Sequence, residues 1–149
     1  MVLFGGAAQD GNMSNEVFVL DCKTWEWQKI ETTGDEPSPR ASPCMVALDD
    51  KTCLLYGGAA RSAEGGLHGC SDTWLLEMMA DNNKGKWTCV QKDGEKGSPP
   101  GRNAAQLTPL SAPPKAIAGD NDKAQYFLLS GGWYPFRTTY DDNFVLKVS

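Results

Sequence analysis

The chain has 149 residues, of which 40% are hydrophobic and 22% are charged, values typical of one soluble globular domain. A net charge of −5 without a long basic run argues against nucleic acid as a partner. The apolar runs are far shorter than the ~20 residues of a membrane-spanning helix, and residues 1–6 lack the pattern of a targeting peptide, so we expect no membrane partner.

The cysteine usage points to a reducing compartment. The five cysteines are an odd number without a C-x-x-C pair, whereas disulfide frameworks and zinc sites use even or closely spaced sets. We expect reduced thiols that are mostly buried as small apolar residues, and therefore a cytoplasmic protein. We also expect no metal site and no cofactor.

Three copies of one pattern run through the chain in order. Each copy begins with a short apolar run that ends in two glycines, and the first two pairs are 52 residues apart. An acidic residue and a second apolar run follow, in which an aromatic residue and a leucine recur two positions apart. That spacing is typical of a strand with one buried face. The paired glycines are Gly5, Gly6, Gly57, Gly58, Gly131 and Gly132.

The first two copies continue with two further shared features. A tryptophan follows the second apolar run, Trp27 in the first copy and Trp87 in the second. A proline-containing turn then ends in an arginine, Arg40 or Arg102. The arginine has the planar fork that binds a carboxylate, for which Glu16 and Asp72 are candidates.

This order of features resembles the kelch repeat, whose length is roughly 50 residues and whose unit is one blade of a β-propeller. The resemblance implies an all-β fold, a kelch-type β-propeller segment made of four-stranded antiparallel blades in an incomplete ring. It also implies structural roles for the paired glycines, the two tryptophans and the two arginines. The position two residues after the arginine, often histidine in the family, is Ser42 or Ala104 here.

The pattern predicts strands in chain order, named a to d from the propeller axis outward. The first blade (1–40) lacks its strand a, the second (41–101) is complete, and the third (102–149) lacks its strand d. A long surface loop is predicted near residues 109–123, where Pro, Ala, Gly and Asp are frequent. The predicted strands cover residues 2–4, 17–21, 25–30, 44–48, 52–56, 73–77, 86–91, 104–108, 125–129 and 144–148.

Fewer than three blades do not close a propeller, which takes about four to eight. The flanks of the outer blades would then expose strand edges and apolar faces. We therefore expect that the sequence is part of a larger propeller, or that it self-associates or pairs with a chain that supplies the missing blades.

The resemblance places the b–c and d–a connections on one face, which usually binds partners in kelch propellers. The b–c loops are residues 7–15, 59–71 and 133–141. The third is rich in Trp, Tyr and Arg, which are enriched at interface hot spots. Packing of its aromatic residues against a blade that is missing from this chain is an equally supported interpretation. The candidate residues for binding a protein or peptide are Arg61, His68, Trp133, Tyr134, Phe136, Arg137 and Tyr140.

The sequence offers little for catalysis. His68 is the one histidine, so a site with several histidines cannot form, and no local pattern brings a thiol to it. We therefore predict a non-catalytic kelch-repeat module that binds a partner through the b–c and d–a loop face. The alternative is a regulatory or substrate-positioning propeller segment of a larger enzyme or ubiquitin-ligase adaptor.

Overall fold

A computed structural model describes residues 1–80, 83–112, 117 and 123–148. Its regular elements in this part of the chain are all strands, which confirms the all-β prediction. The strands are β1 (Val2–Ala7), β2 (Met13–Asp21), β3 (Glu26–Gly34), β4 (Arg40–Ala41), β5 (Cys44–Ala47), β6 (Thr52–Tyr56), β7 (Ala59–Arg61), β8 (Leu67–Gly69), β9 (Thr73–Met78), β10 (Lys84–Gln91), β11 (Gln106–Pro109), β12 (Gln125–Ser130), β13 (Trp133–Tyr134), β14 (Thr138–Thr139) and β15 (Asn143–Val148).

The main strands of each copy pair antiparallel with their neighbours. The second copy has four adjacent strands in the order β5-β6-β9-β10, as one blade requires. The first copy contributes β1, β2 and β3, and the third contributes β11, β12 and β15. The repeated unit is thus a small antiparallel sheet. The residue boundaries of the predicted blades and the 109–123 loop stay predictions, and residues 113–116 and 118–122 of that loop lie outside the described part of the chain.

One strand pairing joins two copies and was not predicted. The end of β3 pairs in parallel with the start of β10, with Glu31 opposite Lys84 and Gly34 opposite Trp87. This pairing extends β3 beyond Ile30, where its pairing with β2 ends. The first and second copies therefore share one seven-stranded sheet, while the third copy forms its own three-stranded sheet.

The main apolar core lies between the first and second copies. The first copy contributes Phe4, Val17 and Ile30, and the second contributes a face that includes Leu76 and Trp87. The rings of Phe4 and Trp87 meet edge to face with their centroids 5.1 Å apart. This geometry suits the quadrupoles of two aromatic rings and adds to the stabilisation from burying their area.

A second core repeats this arrangement between the second and third copies. Tyr56 and Cys44 of the second copy pack with Leu129 of the third, and the partly buried Phe144 and Leu146 join them. Tyr56 follows Leu55 as Phe4 follows Leu3, so successive strand residues face opposite neighbours. Each copy therefore presents one apolar face to the copy before it and another to the copy after it.

The two tryptophans at the same place in the repeat have different surroundings. Trp87 packs between sheets and is 1% exposed, whereas Trp27 is 50% exposed, so the structural role of Trp27 stays a prediction. Trp27 belongs to the face that the second and third copies turn toward the preceding copy, and no described strand covers this face in the first copy.

The first glycine of the first and second pairs allows close contact between copies. Gly57 has a φ of +68°, and a Cβ atom there would lie only 2.5 Å from the carbonyl oxygen of Arg102. Gly5 has the same φ, with the carbonyl oxygen of Arg40 at 2.7 Å from such a Cβ. Glycine is required at these positions because a side chain would clash and the backbone is left-handed.

The cysteines are free thiols, but their burial is uneven. Cys44 and Cys70 are buried, Cys53 and Cys89 are half-buried, and Cys22 is exposed, so the expected burial does not hold for Cys22. Within the described residues, no helix has the length and apolar character needed to cross a membrane.

Candidate functional site: the loop face

Three connections lie side by side at one end of the strands, and we call their surface the loop face. They join β1 to β2, β6 to β9, and β12 to β15. We expected these connections to be loops without strands. The second connection instead contains the hairpin of β7 and β8, and the third contains the hairpin of β13 and β14. Paired backbones hold the side chains of these two connections in defined positions.

Arg61 links the first connection to the second. Its side chain donates a hydrogen bond from Nη2 to the carbonyl oxygen of Gly11 at 2.7 Å. A cleft of about 320 Å³ lies beside this contact, and Asn12, Pro39 and Arg61 contribute to its wall. Because Pro39 belongs to the turn before β4, a d–a connection also contributes to the loop face.

Tyr134 and Asn103 join the third connection to its neighbours. A Cβ atom on Gly69 would lie 3.0 Å from Cδ2 of Tyr134, so the tyrosine ring packs on the glycine backbone. Asn103 and Trp133 exchange two backbone hydrogen bonds of 3.0 Å. Asn103 was missed by the sequence analysis, and its only signal was its place directly after the repeated arginine.

The third connection presents an aromatic cluster at the surface. The rings of Trp133 and Phe136 meet edge to face at 6.1 Å, and the Arg137 guanidinium lies 5.2 Å from the Tyr134 ring centroid. The Phe136 side chain is 81% exposed, and its backbone has a φ of +58°. A left-handed conformation is costly for a bulky residue, and such strain is frequent at functional sites.

Tyr140 lies at the base of the same connection and packs inward. Its ring lies 4.1 Å from the Arg102 guanidinium carbon, and the residue is half-buried. The structure thus places Tyr140 between the loop face and the repeated arginine, whereas Phe136 and Arg137 are exposed to solvent.

The two repeated arginines bind carboxylates of the following sheet. Arg40 donates to both carboxylate oxygens of Asp72, at 2.6 and 2.9 Å, and both side chains are buried. Burial is the largest single influence on the pKa of Arg40 and lowers it, but the hydrogen bonds to Asp72 and the nearby acidic groups together outweigh burial and raise the pKa. The carboxylate also accepts a hydrogen bond from Trp74 Nε1 at 2.7 Å.

The same geometry recurs one copy later. Arg102 donates to the Asp142 oxygens at 2.5 and 3.2 Å, and this bonding lowers the pKa of the partly exposed Asp142. Of the two predicted carboxylate partners, Asp72 is correct and Glu16 is not. Glu16 pairs instead with Lys29 on the neighbouring strand, and this contact lowers the pKa of Glu16. The arginines therefore position the loops while remaining buried themselves.

Ser42 and Ala104 share an unusual backbone conformation. These residues occupy the position two after the repeated arginine, with φ values of +49° and +51°. The backbone N–H of Ala104 donates to the carbonyl oxygen of Ser42 at 2.9 Å. The departure from the family pattern thus lies at a tight junction between copies.

His68 lies near a thiol, contrary to the expectation that no cysteine would meet it. Its Nε2 atom is 3.5 Å from Cys70 Sγ and 3.6 Å from Asp93 Oδ2. Burial raises the pKa of the Cys70 thiol to about 11, so this sulfur is protonated at neutral pH. Since the thiolate is the nucleophile, this arrangement does not favour cysteine catalysis. Among the described residues, no group of three His, Cys, Asp or Glu side chains has the geometry to hold a metal ion.

Comparison with known proteins places this geometry in context. A family profile described as "KLHDC2/KLHL20/DRC7 Kelch-repeats domain" matches residues 1–146. The chain is 28% identical to "Host cell factor" of Drosophila melanogaster over 113 residues, which are 70% of this chain and 7% of that protein. It is 30% identical to "Dynein alpha chain, flagellar outer arm" of Chlamydomonas reinhardtii over 104 residues, 66% of this chain and 2% of that protein.

Two further similarities cover different shares of the chain. "Acyl-CoA-binding domain-containing protein 4" of Arabidopsis thaliana is 29% identical over 62 residues, which are 42% of this chain and 9% of that protein. The chain thus spans less than a tenth of the length of each of these three curated relatives. The solved structure titled "Structure of YjhT" has a TM-score of 0.47 and 18% identity, covering 87% of this chain and 30% of that chain.

Proposed function

The chain belongs to the KLHDC2/KLHL20/DRC7 kelch-repeats domain family, and we propose that it is a non-catalytic module that binds a protein or peptide through the loop face. Domains of this family typically act in protein interactions. The binding residues in this proposal are Arg61, His68 and the aromatic cluster with Arg137.

The observation that carries the proposal is the presentation of Phe136. Its ring is held against Trp133 while 81% of the residue stays accessible to solvent. A partner can bury the exposed part of this ring, and aromatic residues are enriched at the cores of protein interfaces. The neighbouring Arg137 is also exposed and adds a charged contact at the same place.

A second candidate function is a regulatory or substrate-positioning segment of a larger enzyme or adaptor. The small fraction of each curated relative that the chain spans favours it, because those proteins carry much additional sequence. Both candidates use the same loop face, and they differ in whether catalytic chemistry lies elsewhere in the same polypeptide.

We also propose a cytoplasmic location. The five free thiols support it, since secreted domains usually pair their cysteines.

A matched pair of double variants tests the loop face. Phe136→Ala with Arg137→Ala removes the exposed part of the aromatic cluster. The control is Trp25→Ala with Lys23→Ala in the β2–β3 turn, where Trp25 is 75% exposed at a φ of +62°. This turn lies at the opposite end of β2 from the loop face. The two variants therefore remove similar chemistry from opposite ends of the strands.

The measurement is quantitative affinity capture from a lysate of the source cells, followed by mass spectrometry. We expect the loop variant to lose specific partners by at least about tenfold, as for an interface hot spot, and the control to retain them. Circular dichroism is used to check that both variants are folded. Unchanged recovery by a folded loop variant would contradict the proposal.

A further inference from the structure

Ser38 lies in the turn between β3 and β4, where it and the following Pro39 are exposed to solvent. The Ser38 hydroxyl oxygen accepts a hydrogen bond from Nη2 of Arg40 at 3.1 Å. Arg40 itself is only 1% exposed. A buried guanidinium therefore donates to a hydroxyl group at the protein surface.

The structural contact of the repeated arginine does not need this hydroxyl. Arg40 Nε donates to the backbone carbonyl oxygen of Ser38 at 3.0 Å. One copy later, Arg102 Nε donates to the carbonyl oxygen of Pro100, also at 3.0 Å. Pro100 and Ser38 both lie two residues before their arginine, so the second copy keeps the backbone contact without a hydroxyl group.

A second arginine lies across a cleft from this turn. The cleft of about 320 Å³ on the loop face is lined by Ser38 and by Arg61. β4 pairs with β7 so that Arg40 is opposite Ala60, and Arg61 is the next residue of β7. The Arg61 side chain is exposed at the cleft. Since a water molecule takes about 30 Å³ in the liquid, the cleft has room for a phosphate group.

We propose that Ser38 is a phosphorylation site whose phosphate is held between Arg40 and Arg61. Ser38 and Pro39 form the dipeptide that proline-directed kinases recognise. In the reaction, a bond forms between Ser38 Oγ and the γ-phosphorus of ATP, and the bond from that phosphorus to the β–γ bridging oxygen breaks. ADP leaves, and the hydroxyl proton passes to the catalytic carboxylate of the kinase.

The contacts of Arg40 allow the phosphate to bind without displacing Asp72. Nη1 and Nη2 each donate to one oxygen of the Asp72 carboxylate, and Nη2 also donates to Ser38 Oγ. Arg40 balances the charge of Asp72, so Arg61 supplies the positive charge for the phosphate. A phosphate brings about two negative charges and three acceptor oxygens, which arginine binds in charge-assisted hydrogen bonds. The modification thus links the first and second connections of the loop face.

Three other serine or threonine residues also precede a proline and serve as internal controls. Ser98 is half-buried, and its hydroxyl donates to the carbonyl oxygen of Ser71 at 2.5 Å. Thr108 lies within β11 and is paired with β12. Ser42 is exposed, but its backbone is left-handed with a φ of +49°. Ser38 is the one of the four with an arginine donating to its hydroxyl among the described residues.

The first measurement is phosphorylation of the folded 149-residue chain by ATP and a proline-directed kinase, chosen because it modifies a free peptide of residues 33–41. Tandem mass spectrometry locates the phosphate. We expect Ser38 to be modified at least about tenfold faster than Ser42, Ser98 or Thr108, because reaction at a packed site needs local opening of the fold. Ser38→Ala should remove this phosphate.

The second measurement shows whether the arginines hold the phosphate. Phosphorus NMR follows the second pKa of the phosphoserine, which is ordinarily about 6 and is lowered by nearby positive charge. We expect Arg61→Ala to raise this pKa by about 0.5 or more, because a charge that favours the dianion is lost. Arg137→Ala is the matched control, since this exposed arginine is outside the cleft, and it should leave the pKa unchanged.

Three results would overturn the proposal. The first is modification of the free peptide without modification of the folded chain, and the second is equal modification of Ser38 and the three control residues. The third is an equal phosphate pKa in the wild type and Arg61→Ala. Neither measurement uses a binding partner, so this proposal and the proposed function of the loop face can fail separately.

Discussion

Trp27 and Trp87 occupy the same place in the repeat and differ in what surrounds them. Trp87 contacts Phe4 and the core between the copies, whereas half of Trp27 is in contact with solvent. Residue type and repeat position are therefore not enough to assign a structural role. The neighbouring sheet decides whether the large apolar area of an indole stabilises the fold.

This contrast predicts unequal effects of one substitution. Trp87→Ala leaves a cavity in the core and should lower the free energy of unfolding by about 3–5 kcal/mol. Trp27→Ala removes a partly solvated ring and should cost less than about 1 kcal/mol. Urea unfolding followed by circular dichroism measures both variants. Equal losses would show that Trp27 is packed as fully as Trp87.

The ion pair of Asp142 with Arg102 should make the free energy of unfolding depend on pH under acidic conditions. Its hydrogen bonds to Arg102 lower its pKa in the folded state below the ordinary value of 3.8. The pair therefore stabilises the fold fully above that ordinary value, and the stabilisation is lost as the pH falls toward the lowered pKa.

Asp142→Asn tests this acid dependence. The variant should be less stable than wild type at neutral pH, and the two urea midpoints should converge between about pH 5 and pH 3. Asp141→Asn is the control because this neighbouring carboxylate has no hydrogen bond or ion pair within the described residues, and its midpoint should follow that of the wild type. A constant difference between Asp142→Asn and wild type would contradict the assignment.

At the scale of elements, the connections are held together by close backbone contacts as well as by strand pairing. Gly101, before the repeated arginine, lies against Gly69 at the end of β8. A Cβ atom on Gly101 would lie 2.0 Å from the Gly69 carbonyl oxygen. This contact fixes the turn before Arg102 against the β7–β8 hairpin of the loop face.

Gly101→Ala should therefore lower the free energy of unfolding by at least about 2 kcal/mol, because a shift of either backbone would disturb the hydrogen bond from Arg102 N–H to the Cys70 carbonyl oxygen or the pairing of Gly69 with Ala59. Gly65→Ala is the control: its site is open but has a φ of +92°, so it reports the cost of backbone conformation alone. Thermal unfolding compares the two. A smaller loss for Gly101→Ala than for Gly65→Ala would show that the turn adapts.

The sequence predicted the elements whose pattern is local. The apolar run before the second glycine pair marks β6 at its observed bounds, Thr52–Tyr56. The parallel pairing of β3 with β10 joins distant residues without a periodic signal, so the extension of β3 to Gly34 was missed. The approach of Asp93 to His68 was missed for the same reason, since these two residues belong to separate connections. Cys70 follows His68 by only two residues, so the period of two of a strand could have predicted that contact.

At the scale of the whole molecule, the repeat determines which surfaces are covered. Leu55 and Leu129 are buried by the preceding copy, whereas Leu3 at the same repeat position is exposed. Within the described residues, no other copy covers the apolar flank around Leu3 on the first copy, and the loop face runs across all three copies. These surfaces are separate, so a partner can be assigned to one of them by experiment.

Hydrogen exchange of the chain, alone and bound to a partner recovered by affinity capture, tests the central claim most directly. We predict that amide exchange is slower in the bound chain at the two hairpins of the loop face, around Leu67–Gly69 and from Trp133–Tyr134 to Thr138–Thr139. The β2–β3 turn at the opposite end should be unchanged. Unchanged exchange in both hairpins, with slowing confined to that turn or to the flank around Leu3, would contradict it.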